Sequence, residues 1–363
     1  MTPVATDATF AVVGGGFRAE AFLRVADALP ARFRVSAVVV RDHRRRAELQ
    51  QRWRVPAVAS LVELGGAGRG APDFVVVAVP PAAAVGMVRE LAGAGLAVLT
   101  ETPAAPDLAG LRELDLLVRV GARIQVAEQY HLEPLLEAQH SVVRSGLLGT
   151  VSEAFVSVAH DYHGISVLRR MLDVGFESAR ITARRFTESL ALGPGRDGDP
   201  DADRLTTGTR TTAWLDFGDD LHGTYDFDDQ QYRSWIRSPS LLVRGSRGEL
   251  RDETVRHLDD HRTPLVGRLE RLAAGGAGNH EGLFLRGYAF GGARVYSNPY
   301  LPGRLPDEEL AIAALLTGMS RYVEGGAPVY SVAEAAQDQY LQLLVRKAAA
   351  SGSVVRSERQ VWA

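Results

Sequence analysis

The sequence predicts two unlike halves, an α/β domain over residues 1–127 followed by an α+β domain over residues 128–363, and three observations carry that division. In the first third, short apolar runs alternate with helical patterns, the signature of a parallel sheet with crossover helices. After about Gln125 the chain turns to successive β-rich runs joined by short turns, which imply an open, mostly antiparallel sheet. Two long helical patterns close the chain and supply helices to flank that sheet.

The first element is the apolar run Phe10–Val13, which flows through Gly14-Gly15-Gly16-Phe17-Arg18-Ala19 into a helix over Ala19–Ala28. Strand, glycine turn and helix in that order make a phosphate cradle: Gly14 permits the tight turn, Gly16 lets backbone approach a pyrophosphate, and Ala19 is small enough for helix to pack on strand. The helix N-terminus adds free N–H groups and partial positive charge. Further strands are expected at Arg34–Val40, Asp73–Val79, Ala97–Leu99 and Arg123–Val126, with a helix at Arg44–Trp53. The run Phe74–Val79 is apolar on both faces, as a central parallel strand should be, and stops at Pro80-Pro81. The whole forms a Rossmann-type dinucleotide-binding domain.

In the second half a helix is expected over Glu133–Ser145, closed by Gly146. Strands follow at Ser152–Val158, Ile181–Phe186, Thr209–Phe217, Leu221–Phe227, Ser240–Arg244, Leu283–Phe290 and Ala293–Tyr296. The closing helices run over Pro306–Glu324 and Val332–Ala350. The second begins with Ser331 and Glu334 as a capping box, ends before Gly352, and packs back over residues 332–351.

Composition excludes several classes. A net charge of −3 and a pI near 6.3 argue against nucleic-acid binding. With no cysteine there is no disulfide framework, thiolate nucleophile or Cys-ligated metal. No run approaches the ~18 apolar residues of a membrane span, and the N-terminus lacks a secretion-signal pattern, so a cytoplasmic protein with no membrane partner is expected. No His/Glu set has zinc spacing. The aspartates 197, 199, 201 and 203 alternate like a calcium loop, but Ala202 and Gly208 stand where glycine and a bidentate glutamate are needed, so no metal is expected and the segment reads as a surface loop near the cleft.

Taken together, these motifs resemble the glucose-fructose oxidoreductase, inositol dehydrogenase and MocA (Gfo/Idh/MocA) family along nearly the whole chain. The matching stretches are Val13–Ala19, Val79-Pro80, Ala94–Pro103, Tyr130–Pro134, Ser145–Val151, His163–Leu172, Gly245–Leu250 and Ser331–Gly352. The resemblance implies an NAD or NADP cofactor in the cleft, held near Gly14, Gly16, Phe17, Arg18, Val79, Pro80, Glu101 and Thr102. It further implies sugar, cyclitol or related small-molecule substrates, and a homodimer or homotetramer formed through the C-terminal sheet.

Departures from the family pattern fall at the chemistry. Where the family has a Glu-Lys-Pro lysine, this chain has Thr102, whose hydroxyl only donates or accepts a hydrogen bond near neutral pH. Ala159 stands where the family places an aspartate four residues before the catalytic histidine, and His131 where it often has arginine. His163 is the expected general acid/base, because an imidazole can take a hydroxyl proton near neutral pH. On a helix over 164–172, Ile165, Leu168 and Leu172 share a buried side, while His163, Val167 and Arg170 face the cleft. His160 or Asp161 orients His163 or shares its role, and Tyr130 is the third catalytic candidate. Substrate contacts are expected from His131, Arg170, Gln230 and Tyr232.

Cofactor choice is read at the end of the second strand, where a carboxylate suits a free ribose 2′-OH and arginine a 2′-phosphate. Arg41, followed by Arg44, favours NADP, with NAD the alternative through Asp42. Three functions follow: net hydride transfer at a hydroxyl or carbonyl; transient oxidation that permits elimination or glycoside cleavage without net redox; or cofactor binding without turnover.

Overall fold

A computed structural model describes residues 8–64, 71–195, 198–275 and 284–363. Its first domain is a six-stranded sheet of β1 (Ala8–Val13), β2 (Phe33–Val39), β3 (Ala57–Val58), β4 (Phe74–Val77), β5 (Val98–Thr100) and β6 (Ile124–Val126). All neighbours pair in parallel in the order β3-β2-β1-β4-β5-β6, so the strand order reverses between β1 and β4. That reversal opens a crevice at the carboxyl edge, where sheets of this kind take ligands. Four helices cover the faces: α1 (Phe17–Ala28), α2 (His43–Trp53), α3 (Pro81–Gly93) and α4 (Leu108–Arg119). The strand expected to end at Val79 stops at Val77, because Pro80 and Pro81 already start α3, with Pro81 in its first turn. The two-residue β3 has no counterpart among the expected strands.

Helix α5 (Pro134–Arg144) leads into the second domain. There, β7 (Val151–Ser157) enters α6 (Asp161–Leu172), followed by β8 (Arg180–Ala191), β9 (Leu205–Gly218), β10 (Leu221–Asp228), β11 (Ser240–Gly245), β12 (Gly248–Arg251), β13 (Thr254–Leu258) and β14 (Pro264–Arg268). A three-stranded sheet of β15 (Glu270–Ala274), β16 (Phe284–Phe290) and β17 (Ala293–Ser297) precedes α7 (Asp307–Val323), α8 (Val332–Ser351) and the edge strand β18 (Val355–Arg356). The strand expected from Leu283 begins at Phe284, since Leu283 lies outside the described residues. Strands β12 to β15 were not expected. They are short and mostly exposed, so no apolar alternation announces them.

The large sheet runs β14-β13-β12-β11-β7-β10-β9-β8-β18, antiparallel except where β7 and β10 pair in parallel. Its inner face carries Ile181, Ala183, Ala213, Leu215 and Tyr225, all buried, and packs on α6 and α8. Its outer face carries Phe186 and Trp214 in the open, with Trp214 stacked on His222 at 4.3 Å.

Helix α8 is fixed as its capping signals imply: Ser331 Oγ accepts from Glu334 N at 3.1 Å, and Gly352 adopts a left-handed φ of 67°. It docks on both domains, because Val126 N donates to Tyr330 O just before the helix, while Arg169 of α6 is paired with Asp338 at 2.6 Å. Among the described residues, no helix is long and apolar enough to cross a membrane.

Candidate active site

The glycine turn joins β1 to α1 directly under the crevice. Gly14 has a φ of 127°, and a Cβ there would lie 2.1 Å from Ala78 O, so the turn is glycine-only on two counts. Gly16 differs: its Cβ direction is open, with nothing within 4 Å. Gly16 also occupies the N-cap of α1 and brings no side chain to cap it. An open approach over a helix N-terminus that no side chain covers fits a pyrophosphate. Beneath the turn, Arg45 Nε donates to Gly15 O at 2.8 Å, and its other nitrogens pair with Glu20 and Glu48, so Arg45 braces the loop and is not free for a ligand.

At the tip of β2, Arg41 and Arg44 are exposed and make no side-chain hydrogen bond or ion pair among the described residues, while Arg46 is bound to the carbonyls of Val40 and Arg41. Asp42 caps α2 by accepting from Arg45 N at 2.6 Å. The free charges at this tip are therefore cationic.

From the crevice a cleft of about 1810 Å³ extends between the domains. That exceeds the ~300–1,000 Å³ typical of one small ligand and leaves room for the reactive end of a cofactor beside a substrate. Of the expected residues, Phe17, Arg18, Glu101, Thr102, Tyr130, His160, His163, Gln230 and Tyr232 line it. Gly14, Gly16, Arg41, Arg44, Val79 and Pro80 lie outside that lining, at the adjoining strand ends and glycine turn. His131 and Arg170 do not line the cleft: His131 packs on Tyr330 with ring centroids 5.0 Å apart, and burial pushes its imidazole down to about 3. The reason is local. The single turn Tyr130–Leu132 sends successive side chains in different directions, so Tyr130 enters the cleft and His131 leaves it.

Helix α6 corrects the expected two-faced pattern. It is buried all round, Val167 as deeply as Leu168, so no open face aims His163. Glu128 does so instead. Its Oε2 lies 2.5 Å from His163 Nδ1, both side chains are buried, and Glu128 Oε1 accepts from Tyr130 N at 3.1 Å. With Nδ1 held from behind, Nε2 is the ring nitrogen left for the cleft. Burial, reinforced by Glu101, pushes the Glu128 carboxyl up to about 8, and burial pushes His163 down to about 3, so the pair disfavours net charge.

Asp161 does not orient His163. Its carboxylate receives Gln342 Nε2 at 2.5 Å and Arg346 at 2.9 Å, both from α8, and its φ of 48° is the left-handed start of α6. His160 joins a different chain: Tyr130 Oη lies 2.7 Å from Tyr232 Oη, which lies 2.8 Å from His160 Nδ1 and accepts from His160 N at 3.0 Å. Tyr232, from the sheet domain, thus ties Tyr130, in the turn that follows β6, to the strand-to-helix corner. Burial, followed by His163, pushes His160 down to about 4, so it is neutral at pH 7.

Just past β5, Thr102 N donates to Glu101 Oε2 at 3.2 Å, and the side chain of Thr102 brings no charge. The cation at this corner is Arg18, which donates to Glu101 Oε1 at 2.9 and 3.0 Å, to Gln129 at 3.2 Å and to Glu308 at 2.5 Å. Burial alone would lower its pKa, but Glu101 and Glu308 outweigh that and hold it above the ordinary arginine value. Arg18 therefore links the first turn of α1 to α7 across the cleft floor. The segment around Gly193, Pro194 and Asp199 also lines the cleft; Asp197 lies outside the described residues, and no metal-holding group of His, Asp and Glu occurs among those described.

Residues 8–129 match the model of the Gfo/Idh/MocA family, described as an oxidoreductase family with an NAD-binding Rossmann fold. No curated protein matches the sequence. Among solved structures, an oxidoreductase from Agrobacterium radiobacter in complex with NAD+, L-tartaric acid and magnesium is similar at TM-score 0.67 and 15% identity, over 96% of this chain and 98% of that one. A putative myo-inositol dehydrogenase from Sinorhizobium meliloti 1021 gives TM-score 0.65 and 14% identity over the same shares. A levoglucosan dehydrogenase in complex with NADH and levoglucosan gives 0.67 and 16%, again over 96% and 98%. At such identities the likeness establishes a shared two-domain fold.

Proposed function

Because residues 8–129 match the Gfo/Idh/MocA oxidoreductases, we propose that this NAD(P)-dependent enzyme acts at a CH–OH centre of a sugar, cyclitol or related polyol, with His163 as acid/base and Glu128 as its partner. The observation that carries the reading is the 2.5 Å contact between Glu128 Oε2 and His163 Nδ1 at the wall of a cleft that reaches Phe17 and Arg18 at the start of α1. A bound nicotinamide supplies hydride exchange at carbon. The chain supplies the proton: Nε2 of His163 takes it from the substrate hydroxyl during oxidation and returns it to the carbonyl oxygen during reduction. Glu128 holds the ring and stabilises the charge that develops on it.

NADP is the favoured cofactor. Supporting it are the free Arg41 and Arg44 at the tip of β2 and the commitment of Asp42 to capping α2. Self-association through the outer face of the large sheet is supported by the exposed Phe186 and Trp214, which share that face. The test of function is absorbance at 340 nm with NADP+ and a polyol panel, wild type against His163→Ala. Cofactor reduction by the wild type alone supports the proposal; equal rates in the variant sink it.

A further inference from the structure

The lining of the cleft carries eight aspartate and glutamate side chains against four arginines. Most of those carboxylates are already satisfied. Glu101 and Glu308 bind Arg18, Asp161 binds Arg346, and Glu253 binds Arg268. Asp252 and Asp229 accept backbone N–H groups from Leu241 and Thr209, and Asp199 is exposed on its loop. Glu133 is different: half-buried, it lines the cleft, makes no capping bond to α5 although it occupies the N-cap, and has no cation or hydrogen-bond donor on its carboxylate among the described residues.

Its surroundings make that isolation costly. Glu308 and Asp307 face it from the first turn of α7 and Glu128 from just past β6, all acidic, and the arginines at these carboxylates are already committed, Arg18 to Glu101 and Glu308 and Arg271 to Asp307. Burial first, then these neighbours, push the Glu133 carboxyl up to about 8. A carboxyl held in this way is a site short of a cation, since an incoming positive charge would compensate the desolvation of the ionised form and offset the repulsion. A sugar phosphate or sugar acid would meet the opposite balance.

Resting on the polyol-oxidoreductase reading of this cleft, we infer that the substrate is a polyol, sugar or cyclitol bearing a protonated amino group, with Glu133 as the carboxylate that receives it. The amine donates to Glu133 while the reacting oxygen hydrogen-bonds with Nε2 of His163, so the two groups fix the substrate at two points. Binding of the ammonium form ionises Glu133 and releases its proton to solvent near pH 7.

The test is isothermal calorimetry on protein loaded with NADPH, using matched amino and hydroxy pairs: glucosamine and glucose, 1-amino-1-deoxyglucitol and glucitol, an inosamine and inositol. The expected result is that an amino member binds about 10- to 100-fold tighter than its hydroxy partner. Its heat should depend on the ionisation enthalpy of the buffer, reporting proton release, and Glu133→Gln should collapse the ratio to about one. If no pair favours the amine, or if Glu133→Gln leaves the ratio intact, the inference is overturned. An effect of that variant confined to NADPH affinity also overturns it, assigning the carboxylate to the cofactor. NADPH titration of the same samples separates the outcomes: loss of dinucleotide binding in the wild type refutes the parent reading, whereas binding without amine preference refutes this inference alone.

Discussion

Glu128, at the end of the last strand of the first domain, holds His163, in the first turn of α6, through a 2.5 Å contact from Oε2 to Nδ1. The contact joins residues 35 apart in sequence and fixes which ring nitrogen meets the cleft. His163→Ala should therefore cost about 10²–10⁴-fold in kcat. Glu128→Gln should cost about 10²-fold or more by misassigning the tautomer. NADPH affinity, read by fluorescence, should stay near wild type in both. A parallel loss of affinity would mean that the pair serves binding.

The same pair sets a pH dependence whose sign follows from burial. Glu128 is raised to about 8 and His163 lowered to about 3, so below about 8 the pair retains a proton and acts as donor, and above it Nε2 becomes an acceptor. The kcat for oxidation should rise as pH increases through about 8, while that for reduction should fall. Glu128→Gln should flatten both profiles. Glu133, also raised to about 8, is separated by Glu133→Gln, which should leave the kcat transition in place.

Two glycines in one turn should fail in different ways. Gly14→Ala forces a Cβ against Ala78 O at a φ of 127° and should cost about 2 kcal/mol or more of stability, seen as a lower Tm. Gly16→Leu enters open space, so its Tm should hold while NADPH affinity falls at least about tenfold. Equal Tm losses in both would remove the case for Gly16 as a ligand cradle.

Arg41→Ala and Arg44→Ala should each weaken NADPH by about tenfold and leave NADH unchanged, because among the described residues neither guanidinium holds another part of the fold. Parallel titrations with both dinucleotides check this. Equal loss for the two would detach these arginines from the 2′-phosphate.

The turn of Gly14 to Ala19 and the buried run Phe74–Val77 were legible because backbone geometry and apolar burial leave a direct imprint on residue type. The capping box at Ser331 and Glu334 was legible for the same reason. Glu128 was not: a carboxylate two residues beyond a three-residue strand looks like an ordinary polar strand end, and only the fold brings α6 against it. Its one local signal was a charged side chain at the carboxyl edge of a parallel sheet. Arg170 failed as a cleft residue because helical spacing gives a direction and not what covers it. Arg18 was assigned to the cofactor from its place in the turn, but its tie to Glu101 and Glu308 needed α7, nearly three hundred residues later, in position.

The central claim is that the glycine turn and cleft bind a nicotinamide dinucleotide for chemistry at His163. Fluorescence titration of the purified protein with NADPH and NADH tests it most directly. Saturable binding below millimolar concentration, tighter for NADPH and lost in Gly16→Leu, is the predicted result; absence of binding by either dinucleotide at millimolar concentration would contradict it.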